Sequence, residues 1–433
     1  MYYMKTLYLL AFLFSLTLVH ADSNPTDGYA PTLKNEIDTS AYDWNALDTK
    51  WLNMRALGMI AVDGSYLMQD DTSKSHVGDL SSYNEANIRA IRIGAVGTIN
   101  FERPWVYLIA ASLNSLSRDF ESGVDDERTL LDFLVGIPLW GDYARIQIGK
   151  MKAPISMGRN MGLIFDQVME RPMHLDTLLP SRNIGIGFSD MILDKRLHYR
   201  IGIYNDWLEK NSLSISQANQ QYIGRLTAVA YEDKKATRLL HLGVGYRYDD
   251  IREGTLHYTT RPEEFYVDPW LNTGEFEAQS SDTYNLEFSY MDGPLWLSAE
   301  YTSTSVNSQQ NDNPTFNGYH VGANYFITGE HRGYNYRLGQ VRRVTPLLST
   351  SDRGVGAIEL SIRHSFMNLN SGTINGGEMD INALGIIWHP IRDIQLQAQY
   401  SRANLHNANM QPSSSTTKSK TDIIQLRVVL LIE

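Results

Sequence analysis

Apolar and polar side chains alternate every second residue along almost the whole chain, and helical periodicity is scarce, which predicts strands with one apolar face. From His241 to Tyr248 the apolar Leu242, Val244, Tyr246 and Tyr248 share one face, while His241, Gly243, Gly245 and Arg247 share the other. The pattern repeats with Tyr284, Leu286, Phe288 and Tyr290 against Asn285, Glu287 and Ser289, and with Ile394, Leu396, Ala398 and Tyr400 against Gln395, Gln397 and Gln399. Charge and amide keep to one side. Such runs approach ~10 residues, long for a two-layer sandwich and suited to a membrane-spanning strand. Sixteen are predicted, near residues 51–68, 87–98, 104–113, 129–139, 143–152, 184–190, 196–204, 224–233, 238–248, 282–291, 294–304, 317–327, 354–367, 379–389, 393–403 and 421–433.

The connections fall into tight ones, such as Met291–Pro294 and His389–Asp393, and long polar ones, such as 205–223, 249–281 and 404–420. Short and long alternate strictly, with one exception at 328–353, where a short turn is due. An even strand count with short periplasmic turns and long outer loops predicts an all-β fold, a transmembrane antiparallel β-barrel of about sixteen strands. Aromatic residues bunch near strand ends, among them Trp105, Tyr107, Tyr199, Tyr246, Tyr319, Tyr325 and Trp388. They read as girdles at the lipid interfaces, with ordinary core aromatics as the alternative.

The beginning of the chain reads as an export signal over residues 1–21: Lys5, an apolar stretch from Leu7 to Val19, then Val19-His20-Ala21. Residues 22–50 are expected to be an N-terminal periplasmic segment and 51–433 the barrel, placing the protein in the outer membrane of a Gram-negative bacterium, in contact with its lipid. Cysteine is absent, so stability must come from strand pairing and not from disulfides. The net charge of -11 argues against nucleic acid as partner. With 42% hydrophobic residues, 25 Tyr and 14 Pro, the composition excludes a disordered chain.

Two stretches carry a family resemblance. GKMKAPISMGRNMGLIFDQVMERP with LLPSRNIGIGFSD, residues 149–172 and 178–190, is similar to a strand-loop-strand signature of the phosphate-selective porin O and P family. GVGAIELSIRHSFMNLN and GGEMDINALGIIWHPIRDIQLQAQYSRANL, residues 354–370 and 376–405, resemble its later strands, with weaker similarity from Leu52 onward. The resemblance implies a sixteen-stranded homotrimeric porin whose third and fifth loops narrow the pore and whose late periplasmic turn folds inward. Two departures stand out. Members that select phosphate place a lysine in the third loop where this chain has Ile164, and the last strand ends Leu430-Leu431-Ile432-Glu433 instead of on an aromatic residue.

A pore acts through the charge on lumen-facing positions and inward loops. Alternation places Arg145, Arg200, Arg247, Arg363 and Arg427 inside with Glu287, Glu300 and Glu359, a modest anion bias unless each arginine merely pairs with a neighbouring carboxylate and braces the wall. The resemblance draws attention to Arg89 and Arg92; spaced by three, only one can face the lumen in a regular strand, and Arg89 aligns better. The third loop, 153–183, carries Arg159, Arg171 and Arg182 against Asp166, Glu170 and Asp176, while the fifth, 249–281, sums to -6. The turn 328–353 sums to +3; Arg342 and Arg343 are expected to project into the periplasmic half of the pore, with a solvated or protomer-contacting loop as the alternative.

No Gly-rich phosphate loop, His-Glu-x-x-His or Gly-x-Ser-x-Gly motif occurs, so no catalytic residue, metal or cofactor is expected. A barrel hydrolase would have to use the inward histidines His198, His241 or His320, and a non-conducting structural barrel is the remaining alternative. The function expected is passive diffusion of small solutes, with inorganic anions preferred and phosphate or polyphosphate as candidates.

Overall fold

The computed structural model describes residues 45–113, 130–210, 214–233, 235, 237–406 and 418–432. The expected signal peptide and most of the segment 22–50 lie outside the described residues. Sixteen antiparallel strands form the wall: β1 (Leu52–Gln69), β2 (Ala86–Ile99), β3 (Trp105–Ser112), β4 (Leu130–Pro138), β5 (Arg145–Lys152), β6 (Arg182–Ile192), β7 (Leu197–Asn205), β8 (Gln220–Glu232), β9 (Arg238–Asp250), β10 (Ser280–Asp292), β11 (Leu295–Asn307), β12 (Thr315–Phe326), β13 (Ala357–Ser371), β14 (Ile374–Ile391), β15 (Ile394–His406) and β16 (Lys418–Ile432). Each pairs with its sequence neighbour. The sheet closes where β16 meets β1, in register from Gly58 opposite Ile432 to Gln69 opposite Thr421. Closure removes the edges that a sheet could not leave unpaired in lipid. A three-residue strand, Ala46–Asp48, adds to the base of β1.

The wall is polar inside and apolar outside, as the alternation requires. Leu242, Val244, Leu286 and Phe288 are exposed on the outer surface, whereas His241, Arg247, Glu287 and Ser289 are buried within. The strict alternation of loop lengths does not hold at the outer end. β13 and β14 extend past their expected limits, so residues 372–373 alone join them, around a register shift between Asn368 and Asn370. Their polar Asn368, Asn370 and Asn375 continue the ladder, a place where hydropathy ends before pairing does.

The lumen is largely filled by three infolded segments. At the outer end the fifth loop brings Tyr258, Trp270, Leu271 and Phe276 onto the inward residues Phe316, Met367, Leu369 and Ile381, which makes an apolar core inside the barrel. Below it, the third loop crosses the lumen close to the wall. Glycines give it room: a Cβ at Gly245 would fall on the carbonyl oxygen of Ile155, and one at Gly318 would lie 2.5 Å from the Cβ of His174. At the periplasmic end the connection between Phe326 and Ala357 also folds inward. Its small hairpin, Tyr334–Asn335 with Gln340–Val341, packs on Met157, Met161 and Trp296.

Candidate functional site

The third loop is fastened at the barrel seam. Glu170 accepts two hydrogen bonds from Arg89, at 2.8 and 2.9 Å, and a further one from Arg427, which also grips Asp63 across the β16–β1 seam at 2.7 and 2.6 Å. Burial works against the Glu170 charge, yet the two guanidinium groups together hold its carboxyl well below the usual carboxylate range. The fifth loop joins the same cluster. Arg363 donates to the Glu170 carbonyl at 2.7 Å and to Glu263 at 2.6 Å, Gln425 donates to Glu264 at 2.6 Å, and the Phe265 ring lies 3.7 Å from the Arg89 guanidinium carbon.

Across the lumen the loop has a second anchorage. Ser156 Oγ and Gly158 N both donate to Glu300 at 2.7 Å, and His174 bridges Thr302 at 2.9 Å and His320 at 3.1 Å. Burial, with Arg363 adding to it, lowers the His174 imidazole to about 3, so His174 enters the bridge as a neutral ring.

Between the loops and the wall of β2–β6 remains a cavity of about 510 Å³. Its lining holds Arg89, Arg92, Lys150, Lys152, Arg159, Arg171, Arg182 and Arg261 against Asp166, Glu170, Asp176, Glu263 and Glu264, a net of +3 within a chain of -11. Arg159 and Arg171 share Asp176, and Arg182 straddles Asp132 at 3.1 Å. Lys150 Nζ donates to the Leu130 carbonyl at 2.8 Å, and Lys152 Nζ to the carbonyls of Asn160 and Met161 at 2.8 and 2.6 Å. Asp166 is buried with Oδ2 unpartnered among the described residues, and burial raises it to about 6 despite Arg171 and Arg363.

Of the residues singled out from sequence, the structure gathers Arg89, Arg159, Arg171 and Arg182 at this cavity. Arg363 and Arg427 are fasteners of the loops, and Arg247 binds Thr283 at 3.1 Å and the Leu178 carbonyl at 3.3 Å. Arg145 and Arg200 are buried away from the cavity lining, Arg200 reaching Gln147 at 3.3 Å. The infolded turn is held by Arg332 on Glu359 at 2.8 Å and by Arg225, whose side chain clasps Glu287 and the carbonyls of Leu338 and Gly339. Arg343 pairs with Asp393 and the Arg392 carbonyl at the base of the barrel, and Arg342 is exposed.

The inward histidines also brace: His241 links Tyr334 at 2.7 Å to Glu287 at 3.0 Å, His320 belongs to the His174 bridge, and His198 is buried. One expectation is corrected. The register of β1 with β2 slips between Ala61–Ala90 and Val62–Ile88, leaving Arg89 as the extra residue of a bulge; Arg89 and Arg92 therefore both line the cavity despite their spacing. Lys150, Lys152 and Arg261 had not been singled out. Parity counted from Arg145 assigns both lysines to the outward side, although both line the cavity at the outer end of β5, where Gly149 has φ 132°.

A closed sixteen-strand barrel with an apolar outer belt and loops folded inward around a charged cavity has the architecture of an outer-membrane porin. The chain belongs to the phosphate-selective porin O and P family, whose profile matches residues 61–431. An uncharacterized protein of Caulobacter vibrioides is 27% identical over 182 residues; the match covers 41% of this chain and spans only 36% of that relative's length. Among solved structures, an anion-selective porin from Comamonas acidovorans is similar with TM-score 0.52 at 11% identity, over 88% of this chain and 99% of that one. The outer membrane channel DcaP of Acinetobacter baumannii gives 0.51 at 9%, over 89% and 99%. OmpT of Vibrio cholerae, in its trimer form, gives 0.53 at 10%, over 88% and 100%. Identities this low establish the shared fold alone.

Proposed function

We propose that the protein is a passive, non-catalytic channel that prefers small anions and works as a homotrimer. The observation that carries the reading is the cavity, where eight basic groups face five carboxylates between low-dielectric walls. A confined net positive charge raises the local anion concentration and opposes cations. The anion-selective porin of similar fold and the neighbour described as a trimer support the reading by analogy. Ile164 stands where phosphate-selecting members carry lysine, and it packs against the apolar cluster of Ala61, Ala90, Leu163 and Val429. That packing favours a general anion preference over phosphate selectivity.

Zero-current potentials across a planar bilayer in a potassium chloride gradient test this directly. The chloride-to-potassium permeability ratio is expected above one, and to fall toward one in an Arg92→Gln/Arg261→Gln double variant, which lowers the cavity charge from +3 to +1. A parent ratio below one overturns the reading. Substituting phosphate for chloride in the same recording distinguishes general from phosphate preference.

A further inference from the structure

From β8 to β12 the outer surface above the lipid belt is uncharged, acidic or, where Arg252 pairs with Asp250 just past β9, charge-paired. The outward positions at the outer ends of β8 to β12 carry Tyr222, Asp250, Asp282, Asn307 and Asn317 and no lysine or arginine. The sector β14–β16 differs. Its apolar belt ends at Leu384, Tyr400 and Ile424, and three charged rows follow immediately above in strand register.

In the first row Arg402 grips Asp422 at 2.7 and 3.1 Å, and the Tyr400 hydroxyl donates to the same carboxylate at 2.7 Å. In the second, Asp380 takes a hydrogen bond from Asn404 at 2.8 Å and lies 3.0 Å from His406 Nε2, while Lys420 stands opposite Asn404. The third brings Lys418 opposite His406, with Glu378 on the far side of that histidine. Asp422 and Asp380 are thus engaged within the wall, whereas Lys418 and Lys420 are exposed along one edge. Glu378 lies two strand spacings away, about 10 Å.

Height decides what this surface meets. Three rows two residues apart span about 13 Å along a strand, or about 9 Å of height at a 45° tilt, comparable to one headgroup layer. Exposed charge there is too high for hydrocarbon and too low for the loop tips.

We propose that the β14–β16 rim is a docking surface for a phosphorylated glycolipid of the outer leaflet, with Lys418 and Lys420 meeting its phosphate monoester beside Arg402. Charge complementarity selects this occupant: ammonium groups in a row at headgroup height match a phosphate held at a fixed depth by its acyl chains. The docking is independent of conduction, because these side chains lie on the opposite side of the wall from the cavity.

The test uses the full chain in detergent micelles and native mass spectrometry with diphosphorylated lipid A, dephosphorylated lipid A and phosphatidylglycerol as probes. The parent should retain the diphosphorylated lipid preferentially. In a Lys418→Gln/Lys420→Gln variant its affinity should fall about thirtyfold, each lysine near a charged lipid surface being worth about a factor of five. Single-channel conductance should be unchanged, which separates this proposal from the reading of the pore. Parent-like retention in the variant, equal retention of the dephosphorylated lipid, or equal retention of phosphatidylglycerol would each overturn it. So would loss of the oligomer in the variant, since a second copy of the chain would then be the occupant.

Discussion

Replacing Glu170 by Gln removes the carboxylate at the centre of the seam cluster while keeping its volume and part of its hydrogen bonding. The Arg89 and Glu170 side chains are only 10% and 9% exposed, so solvent screens the pair weakly. Breaking a buried pair by deleting one partner costs about 3–5 kcal/mol, because the remaining charge stays buried without its counter-ion. Arg427 keeps its two-pronged contact with Asp63, whereas Arg89 loses the carboxylate that accepts two of its N–H groups and keeps the Phe265 ring beside it. The lower end, about 3 kcal/mol, is therefore expected. Equilibrium unfolding in guanidinium measures it, and a cycle with Arg89→Gln should return a coupling of about 2 kcal/mol. The same variant makes the cavity one charge more positive and loosens the third loop, so current noise and chloride preference should both rise. A stability change under about 0.5 kcal/mol, with no coupling to Arg89, would refute the fastening role.

Three further outcomes follow from the packing. Leu286→Arg places a charge on the exposed lipid face of β10 and should destabilise the barrel by about 2–4 kcal/mol, against under about 1.5 kcal/mol for Leu286→Ile, in the same unfolding assay. Gly245→Val puts a side chain onto the Ile155 carbonyl, so the third loop must shift and single-channel conductance must change; an identical conductance would show that the loop does not lie there. His174, lowered to about 3, binds fewer protons folded than unfolded, so its contribution is intact above the ordinary 6.5 and declines as pH falls from 6.5 toward 3. The stability advantage of the parent over His174→Gln should shrink across that window, and a flat difference from pH 7 to pH 4 would contradict the neutral-ring bridge.

Alternation made the wall legible because a strand between lipid and water is forced to be two-faced at every residue; Leu242, Glu287 and Arg427 all lie on the side that parity assigns. Counting failed where the backbone departs from the pleat. The bulge at Arg89 shifts parity and hid Arg92, while Lys150 and Lys152 line the cavity from positions that parity assigns outward. Gln397 illustrates a different limit. Its inward position was readable, but its register partner is Arg427, so it is a crowded site beside a buried guanidinium and no open lumen position. The strand ends at 371 and 374 were missed because asparagines carry no hydropathic signal for the ladder they continue. Which carboxylate each arginine meets depends on loop paths, and these leave no local trace: Glu170 and Arg427 are 257 residues apart.

The seam contact between Asp63 and Arg427 joins residues 364 positions apart and exists only once the final strand has zipped against the first. Glu170 is held by that same guanidinium, so the narrowing of the passage is coupled to completion of the cylinder. A sheet not yet closed would lack half of the clamp on its third loop. The loop therefore gains its second guanidinium anchor at the moment the wall becomes continuous.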